Sequence, residues 1–473
     1  MPSTFSGTTR RSRLQHSRRA LAHSVSPSAW RSTLEIRRAD PTIAIGFRVG
    51  LAGAIALVVG GLIGHTEVAG FAALGTLSSA YLRYEPYPRM AGRLAGVASL
   101  IVAYTALGAL LGVLGVSIWA QILLVSGGAG LAFWLCAAFR ITGPGPAIMI
   151  FAAAGAAGFA HTAADAVTAT VAAAFGGLVG WLVAMAPALS HPHGPSRVAV
   201  ARALAAVSGI EHYGPGSVAA ARASIGQARE VIARTPARRV DAHVAELISF
   251  LDAAESVLDS GSHDSLTARR EDFSHLEAEL RKVRPNLTPP RERTDVTMPG
   301  TAPKNTLRES LRGLSDREIG VNVARVTTAS LLAGGLATAA GLTHPLWASI
   351  GALAALQGVN YRHTVQRAIQ RLVGNVGGAV LAAIIIAAGL GYWPLVVVIV
   401  VCQGAAEMVV TRNYALASVP ITAMALLVTS IGNPVGADIG ATRVFDTLLG
   451  VMIGVVVAAV TIRLDDRHHL DTT

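Results

Sequence analysis

Long apolar runs separated by short polar connections dominate the chain. They lie at residues 43–64, 67–82, 94–114, 118–139, 144–160, 165–187, 321–341, 345–360, 372–390, 393–411, 414–432 and 438–462. Most approach the roughly 20 residues that an α-helix needs to cross a bilayer. The short run at 67–82 indicates a tilted or re-entrant segment. This pattern predicts an all-α polytopic membrane protein with two six-helix transmembrane halves, about 12 spans in total.

The periodicity changes between the two halves. In residues 196–284, apolar positions recur every three to four residues with charges on the opposite face, which predicts amphipathic helices of a soluble domain. We therefore predict six segments: a disordered basic cytoplasmic arm (1–40), a first six-span membrane half (41–189), a cytoplasmic helical domain (190–284), a Pro-rich linker with a juxtamembrane helix (285–320), a second six-span half (321–463) and a polar cytoplasmic tail (464–473).

Composition agrees with the membrane class. Only 14% of residues are charged and 52% are hydrophobic, with a mean hydropathy of +0.51, whereas soluble domains carry about 25% charged residues. Cys136 and Cys402 lie in apolar runs, which argues against a disulfide framework or a metal site. The polar, basic residues 1–40 do not resemble a cleavable signal peptide.

The net charge of +11 is distributed in a way that predicts topology. Basic residues occupy the connections after the second and fourth runs of each half, namely Arg83, Arg89, Arg93, Arg140, Arg362, Arg367, Arg371 and Arg412. The alternate connections contain no Lys or Arg. By the positive-inside rule, both termini and the central domain are expected in the cytoplasm of a bacterium, with the spans in its inner membrane. Nucleic-acid binding is disfavoured because the basic residues form no reading element.

Short motifs recur in the two halves at a nearly constant spacing. The first-half motifs are Arg48-Val49, Arg93-Leu94-Ala95-Gly96 and Thr168, Gly176 and Gly180; their counterparts are Arg325-Val326, Arg371-Leu372-Val373-Gly374 and Thr442, Gly450 and Gly454. Chance among Gly- and Ala-rich helices is the alternative explanation. The recurrence predicts parallel repeats related by an axis along the membrane normal, with a path at their interface.

Three segments of the second half carry a family resemblance. They are His344-Pro345-Leu346-Trp347-Ala348, the basic connection from Arg362 to Arg371 leading into Leu372-Val373-Gly374-Asn375-Val376-Gly377, and Thr442-Arg443-Val444-Phe445-Asp446-Thr447-Leu448-Leu449-Gly450. These segments resemble the fusaric acid resistance family, also called aromatic acid exporters. The resemblance implies repeated six-span membrane halves, soluble helical regions and export of aromatic carboxylic acids.

The first half departs from that pattern. Ala169 and Ala172 stand where the second half has Arg443 and Asp446, so any site built on these charged groups is expected to be asymmetric. In outline the chain is also similar to the plant aluminium-activated malate transporters, which have six spans and a helical cytoplasmic domain and form dimers. That similarity implies that one tandem chain could replace a dimer.

Arg443 and Asp446 are the first candidates for the substrate path. They are three residues apart and share one face of a helix. Because charge is costly in lipid, such residues usually face a cavity or a partner. They form either an anion contact with its counter-charge or a structural ion pair near the outer end of the last span.

Further basic candidates lie towards the cytoplasmic side. Arg48 and Arg325 either line a vestibule that attracts carboxylates or extend to the headgroups. Arg93, Arg362 and Arg371 belong to connections that either form basic rims favouring anions or only set the topology. Three amides, Gln366, Gln370 and Asn375, add hydrogen-bonding capacity that topology does not require.

Glu407 and Gln403 are one helical turn apart in an apolar run. A membrane carboxylate is able to relay protons, which would suit proton-coupled export. Pairing of Glu407 with Arg412 at the interface is the alternative.

No signature of catalysis or nucleotide binding is found. The glycines of Gly374-Asn375-Val376-Gly377-Gly378 lack the Lys and Ser/Thr of a phosphate-binding loop. The spacing of His191 and His193 is weak support for a metal. We therefore expect no enzyme activity and no cofactor.

These observations, together with the family resemblance, favour a transporter that exports organic anions, and the resemblance implies aromatic carboxylic acids as the substrates. Proton exchange is the first hypothesis for coupling. A passive organic-anion channel and a non-transporting membrane scaffold are the alternatives. The expected partners are the lipid bilayer and a small organic anion. A homo-oligomer or an accessory subunit is left open.

Overall fold

The computed structural model describes residues 5–36, 43–82, 85–211, 214–234, 242–282, 316–358, 360–432, 439–462 and 466. Every regular element in these ranges is a helix, which confirms the all-α class. Most of the predicted Pro-rich linker and of the polar tail lies outside the described residues.

Helices α1 to α9 cover the first part of the chain. Their bounds are α1 Phe5–Ser24, α2 Pro27–Leu34, α3 Ile43–Leu62, α4 Thr66–Thr76, a 3-10 helix Leu77–Ala80, α5 Tyr87–Val113, α6 Ile118–Ala138, α7 Ala147–Phe159, α8 Ala163–Met185 and α9 Pro187–Ser190. We call α3–α8 the first membrane half.

The remaining helices form the segment predicted to be soluble and the second membrane half. The helices of the predicted soluble segment are α10 Gly194–Ser208, α11 Pro215–Ala233, α12 Ala242–Asp259 and α13 His263–Leu280. The second membrane half comprises α14 Arg317–Ala339, α15 Pro345–Ala355, α16 Tyr361–Ala387, α17 Tyr392–Val409, α18 Tyr414–Gly432 and α19 Ile439–Val460.

Each of the predicted apolar runs forms a helix, but their lengths differ. Within the described residues, nine helices are long and apolar enough to cross a membrane, which supports a multi-pass membrane protein. Helices α4, α7 and α15 contain only 11, 13 and 11 residues. At 1.5 Å per residue they reach about 16 to 20 Å, well short of a hydrocarbon core of about 30 Å. Every residue of α15 is buried, so this short helix lies inside the protein rather than in lipid.

The described chain forms two compact units. The first contains residues 1–81, 94–184 and 307–473, and the second contains residues 82–93 and 185–306. In the second unit, α10 packs against α11, α12 and α13. Its core is formed by side chains such as Leu204, Ile225, Leu247, Phe250 and Leu266, all buried at the helix positions that repeat every three to four residues.

In the first unit, the two membrane halves exchange equivalent contacts. The first helix of each half packs against the fourth helix of the other half, α3 against α17 and α14 against α6. Gly404 of α17 meets Gly46 of α3, and Gly130 of α6 meets Val323 and Thr327 of α14. Small residues permit such close approach. A reciprocal exchange is what a two-fold relation between halves requires.

A second contact also recurs in both halves. Glycines on the last helix lie against backbone carbonyls of the short helix, so closely that an added Cβ would crowd or overlap the oxygen. The pairs are Gly176 with Ala72, Gly180 with Thr76, Gly450 with Ala348 and Gly454 with Ala352. The repeat of two six-helix halves stays a prediction, and both recurring contacts support it.

The prediction of a disordered arm at 1–40 is wrong for much of that segment. Helices α1 and α2 occupy it, and α2 packs against α16 while α1 packs against α19. Ser26 caps α2 by accepting a hydrogen bond from the backbone N–H of Ala29, and Pro27 stands at its first position. Low hydrophobicity alone suggested disorder. The polar groups that hold the segment belong to α16, which is distant in sequence, so the local pattern did not reveal them.

Candidate functional site

Arg443 lies in the first part of α19 and is 4% exposed. Its guanidinium carbon is 4.5 Å from the centre of the Trp347 ring on α15 and 5.7 Å from the centre of the Phe151 ring on α7. The electron-rich faces of aromatic rings attract a cation at these distances. The first and second membrane halves therefore meet at this guanidinium, since α7 belongs to the first half and α15 and α19 to the second.

Asp446 follows one turn later on α19 and is fully buried, with 0% exposure. Neither of its carboxylate oxygens has a hydrogen-bond partner, and Nε and Nη1 of Arg443 also lack one. The structural ion pair that the spacing allowed is not formed. An ionisable base and an ionisable acid thus lie one helical turn apart in the protein interior, and each leaves hydrogen-bonding capacity for a ligand.

Asn375, another sequence-predicted candidate, lies beside this pair in a polar network. Its Nδ2 donates to Thr447 Oγ1 at 2.6 Å, and Thr422 Oγ1 donates to its Oδ1. The three residues come from α16, α19 and α18, and all are buried. Because both ends of the amide are engaged, Asn375 fixes the position of Thr447 and hence of the adjacent Asp446. Sequence patterns gave no signal for the two threonines.

Gln403 and Glu407 lie on α17, next to the first membrane half. Gln403 Nε2 donates to Thr76 Oγ1 at 3.4 Å, and both residues are buried. Gly53 on α3 makes room for the amide, because a Cβ there would overlap Gln403 Oε1. Glu407 is 8% exposed. The structure thus places these two residues at the contact between α17 and the first half, where sequence reasoning could not identify Thr76 or Gly53.

Gln366 and Gln370 hold the N-terminal helix α2. Gln366 Nε2 donates to the carbonyl of Ser32 at 2.8 Å, and Gln370 Nε2 donates to the carbonyl of Thr33 at 3.2 Å. Asn413 Nδ2 also donates to Thr33 O, at 3.0 Å. These amides satisfy carbonyls at the end of α2 that have no partner within the helix. The hydrogen-bonding capacity noted in the sequence is therefore used to dock the arm.

The basic connection of the second half is largely built into the protein. Arg371 is 9% exposed and its Nη1 donates to the hydroxyl of Tyr414 at 3.3 Å. Arg367 lies 4.6 Å from the centre of the Tyr414 ring and donates to Gln357 Oε1 at 3.3 Å. Arg362 is half-buried near His23 of α1, where burial, and then the charge of Arg362, lower the pKa of the imidazole.

The remaining arginine candidates also bind protein groups. Arg48 Nη2 donates to the carbonyl of Ser79 at 2.7 Å, and Arg325 Nη1 donates to Asn322 Oδ1 at 3.1 Å. In the second compact unit, Arg93 Nη1 is 3.0 Å from Glu85 Oε1. These contacts favour structural roles for the three arginines. In Arg443 and Asp446, by contrast, two guanidinium nitrogens and both carboxylate oxygens are buried without a hydrogen-bond partner.

The fold and this buried charged pair define a multi-pass α-helical membrane protein, and comparison with known proteins agrees. Residues 332–457 match the family model described as fusaric acid resistance protein-like. The chain is 24% identical over 450 residues to the uncharacterized membrane protein YvaC of Bacillus subtilis (strain 168), covering 86% of this chain and 70% of that protein. No solved structure matches. The resemblance seen in the second half is thereby confirmed, with α15–α18 wholly inside the matched residues.

Proposed function

We propose that this protein transports organic anions across the membrane and that Arg443 binds the carboxylate of the substrate. The observation that carries the proposal is a buried guanidinium with free N–H groups at the contact between the two membrane halves. Charged residues inside membrane proteins commonly mark substrate pathways, and repeat interfaces commonly contain them. The short helices α7 and α15 support this reading, since broken helices in membranes usually surround a site rather than face lipid.

Aromatic carboxylates are the proposed substrates. A guanidinium forms paired hydrogen bonds with a carboxylate, and the rings of Trp347 and Phe151 provide surfaces on which an aromatic ring can pack. The resemblance to the fusaric acid resistance family supports the same class and an outward direction. The basic connections support an orientation with both termini in the cytoplasm, in the inner membrane of a bacterium.

The test is solute flux into proteoliposomes containing the purified protein. Aromatic and aliphatic carboxylates are presented in parallel, and leakage is subtracted with protein-free vesicles. We expect Arg443→Ala to lower the flux of aromatic carboxylates about tenfold or more, because a hydrogen bond to a charged group contributes about 1.5–3 kcal/mol. Arg412→Ala is the matched control, since it removes the same charge from an exposed position.

Each outcome assigns the protein to a class. Flux lost in Arg443→Ala and kept in Arg412→Ala supports the transporter. A steeply voltage-dependent current that needs no solute or proton gradient would favour an anion channel. No flux of any carboxylate, from protein shown to be folded and inserted, would reject the proposal and favour a membrane scaffold.

A further inference from the structure

Asp446 is distinguished from the other buried carboxylates of the described chain. Both of its oxygens are buried and lack a hydrogen-bond partner. Glu279, in the second compact unit, pairs with Lys282, and Glu407 also has an interaction partner. Among the buried carboxylates of the described residues, Asp446 is therefore the one that receives no hydrogen bond at either oxygen.

Such a group needs a ligand. Burying an ionised carboxylate without a partner costs several kcal/mol, which a bound proton removes. The neighbouring hydroxyl of Thr447 does not meet this need: it accepts a hydrogen bond from Asn375 of α16 and donates none to Asp446. Asp446 is thus placed as a proton-binding group inside the membrane, one turn from the proposed anion site.

The charged groups around Asp446 connect binding of a proton at Asp446 with binding of the substrate anion at Arg443. Arg443 is the charged group whose field acts on Asp446, and Arg443 is itself within the field of Arg371 on α16. Helices α15 and α7 carry no ionisable side chains. Helices α14, α16 and α1 also pack against α19. Their described ionisable side chains are Arg317, Glu318 and Arg325 of α14, Tyr361, Arg362, His363, Arg367 and Arg371 of α16, and His16, Arg18, Arg19 and His23 of α1.

We infer that Asp446 binds the coupling proton of this transporter and that proton and anion bind together. This inference rests on the proposed function and deepens it. An ionised Asp446 competes with a substrate carboxylate for the positive field of Arg443, whereas a protonated Asp446 leaves that field to the substrate. Proton and anion therefore move in the same direction, and net flux follows the combined gradients of both. Export is then driven by a high internal concentration of the anion, and each exported anion carries a proton with it. The sequence suggested Glu407 as the group that couples transport to protons. The inference from the structure gives this role to Asp446 instead.

The first test needs no mutation. Titration calorimetry of the detergent-purified wild-type protein with 3-phenylpropionate, in buffers of different ionisation enthalpy, measures the protons taken up per anion bound. We expect proton uptake, and an affinity that rises by up to about tenfold per unit of falling pH, as one linked proton requires. An affinity independent of pH, with no proton uptake, would overturn the inference.

A matched ligand distinguishes binding of a proton by Asp446 from pairing of Asp446 with a cationic group of the substrate. Phenylalanine differs from 3-phenylpropionate by an ammonium group, which could itself pair with Asp446. If phenylalanine binds more tightly than 3-phenylpropionate and without proton uptake, Asp446 pairs with the ammonium group of the ligand and the inference is overturned. Weaker binding of phenylalanine supports it.

The transport test uses Asp446→Asn, which imitates the protonated acid. In proteoliposomes with labelled 4-hydroxybenzoate, an acidic exterior should drive accumulation by the wild type and by Glu407→Gln. The Asp446→Asn variant should keep anion exchange but lose accumulation driven by the pH gradient. If it is inactive, Asp446→Glu, which restores the acid, should recover coupling.

The two proposals fail in different ways. Absence of wild-type flux rejects the transporter itself. Wild-type flux that ignores a pH gradient, or that follows a sodium gradient, rejects only the role of Asp446. Accumulation by Asp446→Asn that still follows the pH gradient as in the wild type also rejects only the role of Asp446.

Discussion

The guanidinium carbon of Arg443 lies 4.5 Å from the centre of the Trp347 ring. Trp347 also stacks on the imidazole of His344, with ring centres 4.5 Å apart. Two segments that carry the family resemblance, the start of α15 and the charged motif of α19, therefore meet in space. This contact joins a short buried helix to the charged helix of the proposed anion site.

Trp347 should contribute to anion transport through its ring. Replacing it by Ala removes a cation–π contact of about 0.5–2 kcal/mol, so the KM for aromatic carboxylate flux should rise about two- to thirtyfold. Trp347→Phe keeps an aromatic face and should lose less. Trp393→Ala, at a half-exposed position on α17, is the control. Equal KM values in Trp347→Ala and wild type would contradict a role for the ring.

Close packing at Gly450 should be essential for stability. A Cβ at Gly450 would overlap the carbonyl oxygen of Ala348, so Gly450→Ala must shift α19 against α15. We expect a loss of about 1–3 kcal/mol, seen as a lower melting temperature in detergent. The control is Gly127→Ala, because no atom lies within 4 Å of a Cβ there. A melting temperature of Gly450→Ala at or above that of the control would contradict the packing.

The amides of α16 should hold the N-terminal arm. Each hydrogen bond contributes about 1 kcal/mol, so the double variant Gln366→Ala/Gln370→Ala should weaken docking by about 2 kcal/mol. Hydrogen exchange of residues 27–34 should then become faster, and trypsin should cleave after Arg31 more readily. Gln121→Ala, whose amide binds the carbonyl of Val116 within the first half, is the control. Unchanged exchange in the double variant would show that the arm is held by other contacts.

Docking of the arm should weaken in acid because of His23. Burial, and then the charge of Arg362, lower the pKa of His23 below its ordinary value of 6.5. A free arm binds a proton more readily than a docked one, so docking is strongest above about pH 6.5 and is lost progressively as the pH falls below it. Trypsin cleavage after Arg31 as a function of pH measures this. His23→Gln should remove the pH dependence and His16→Gln should keep it; a pH dependence that persists in His23→Gln would assign it to another group.

The sequence predicted much of the fold because its signals are local. Runs of apolar residues are long enough to require helices in lipid, and their order gives the helices of both halves. The motifs around Trp347, Arg371 and Arg443 were sufficient to indicate the family resemblance that residues 332–457 show. The recurrence of Gly176 and Gly450 indicated equivalent positions, and the structure places both glycines against a carbonyl of a short helix.

The site was only partly predictable, because its properties depend on distant residues. A spacing of three allowed Arg443 and Asp446 to pair, but the structure places the guanidinium beside the rings of Trp347 and Phe151, which are distant in sequence. Likewise, the sequence showed the hydrogen-bonding capacity of Gln366 but not its partner, the carbonyl of Ser32. No local pattern encodes these contacts.

The sequence by itself determined the helices, their apolar character and the family resemblance of the second half. The helices follow from neighbouring residues and the cost of exposing polar backbone to lipid, and the resemblance follows from short local motifs. Only the tertiary structure decided that α4, α7 and α15 are short, that α2 docks on α16, and that Asp446 is buried without a donor. The physical reason is that burial and hydrogen bonding of a side chain are set by helices distant in sequence, which packing alone brings together.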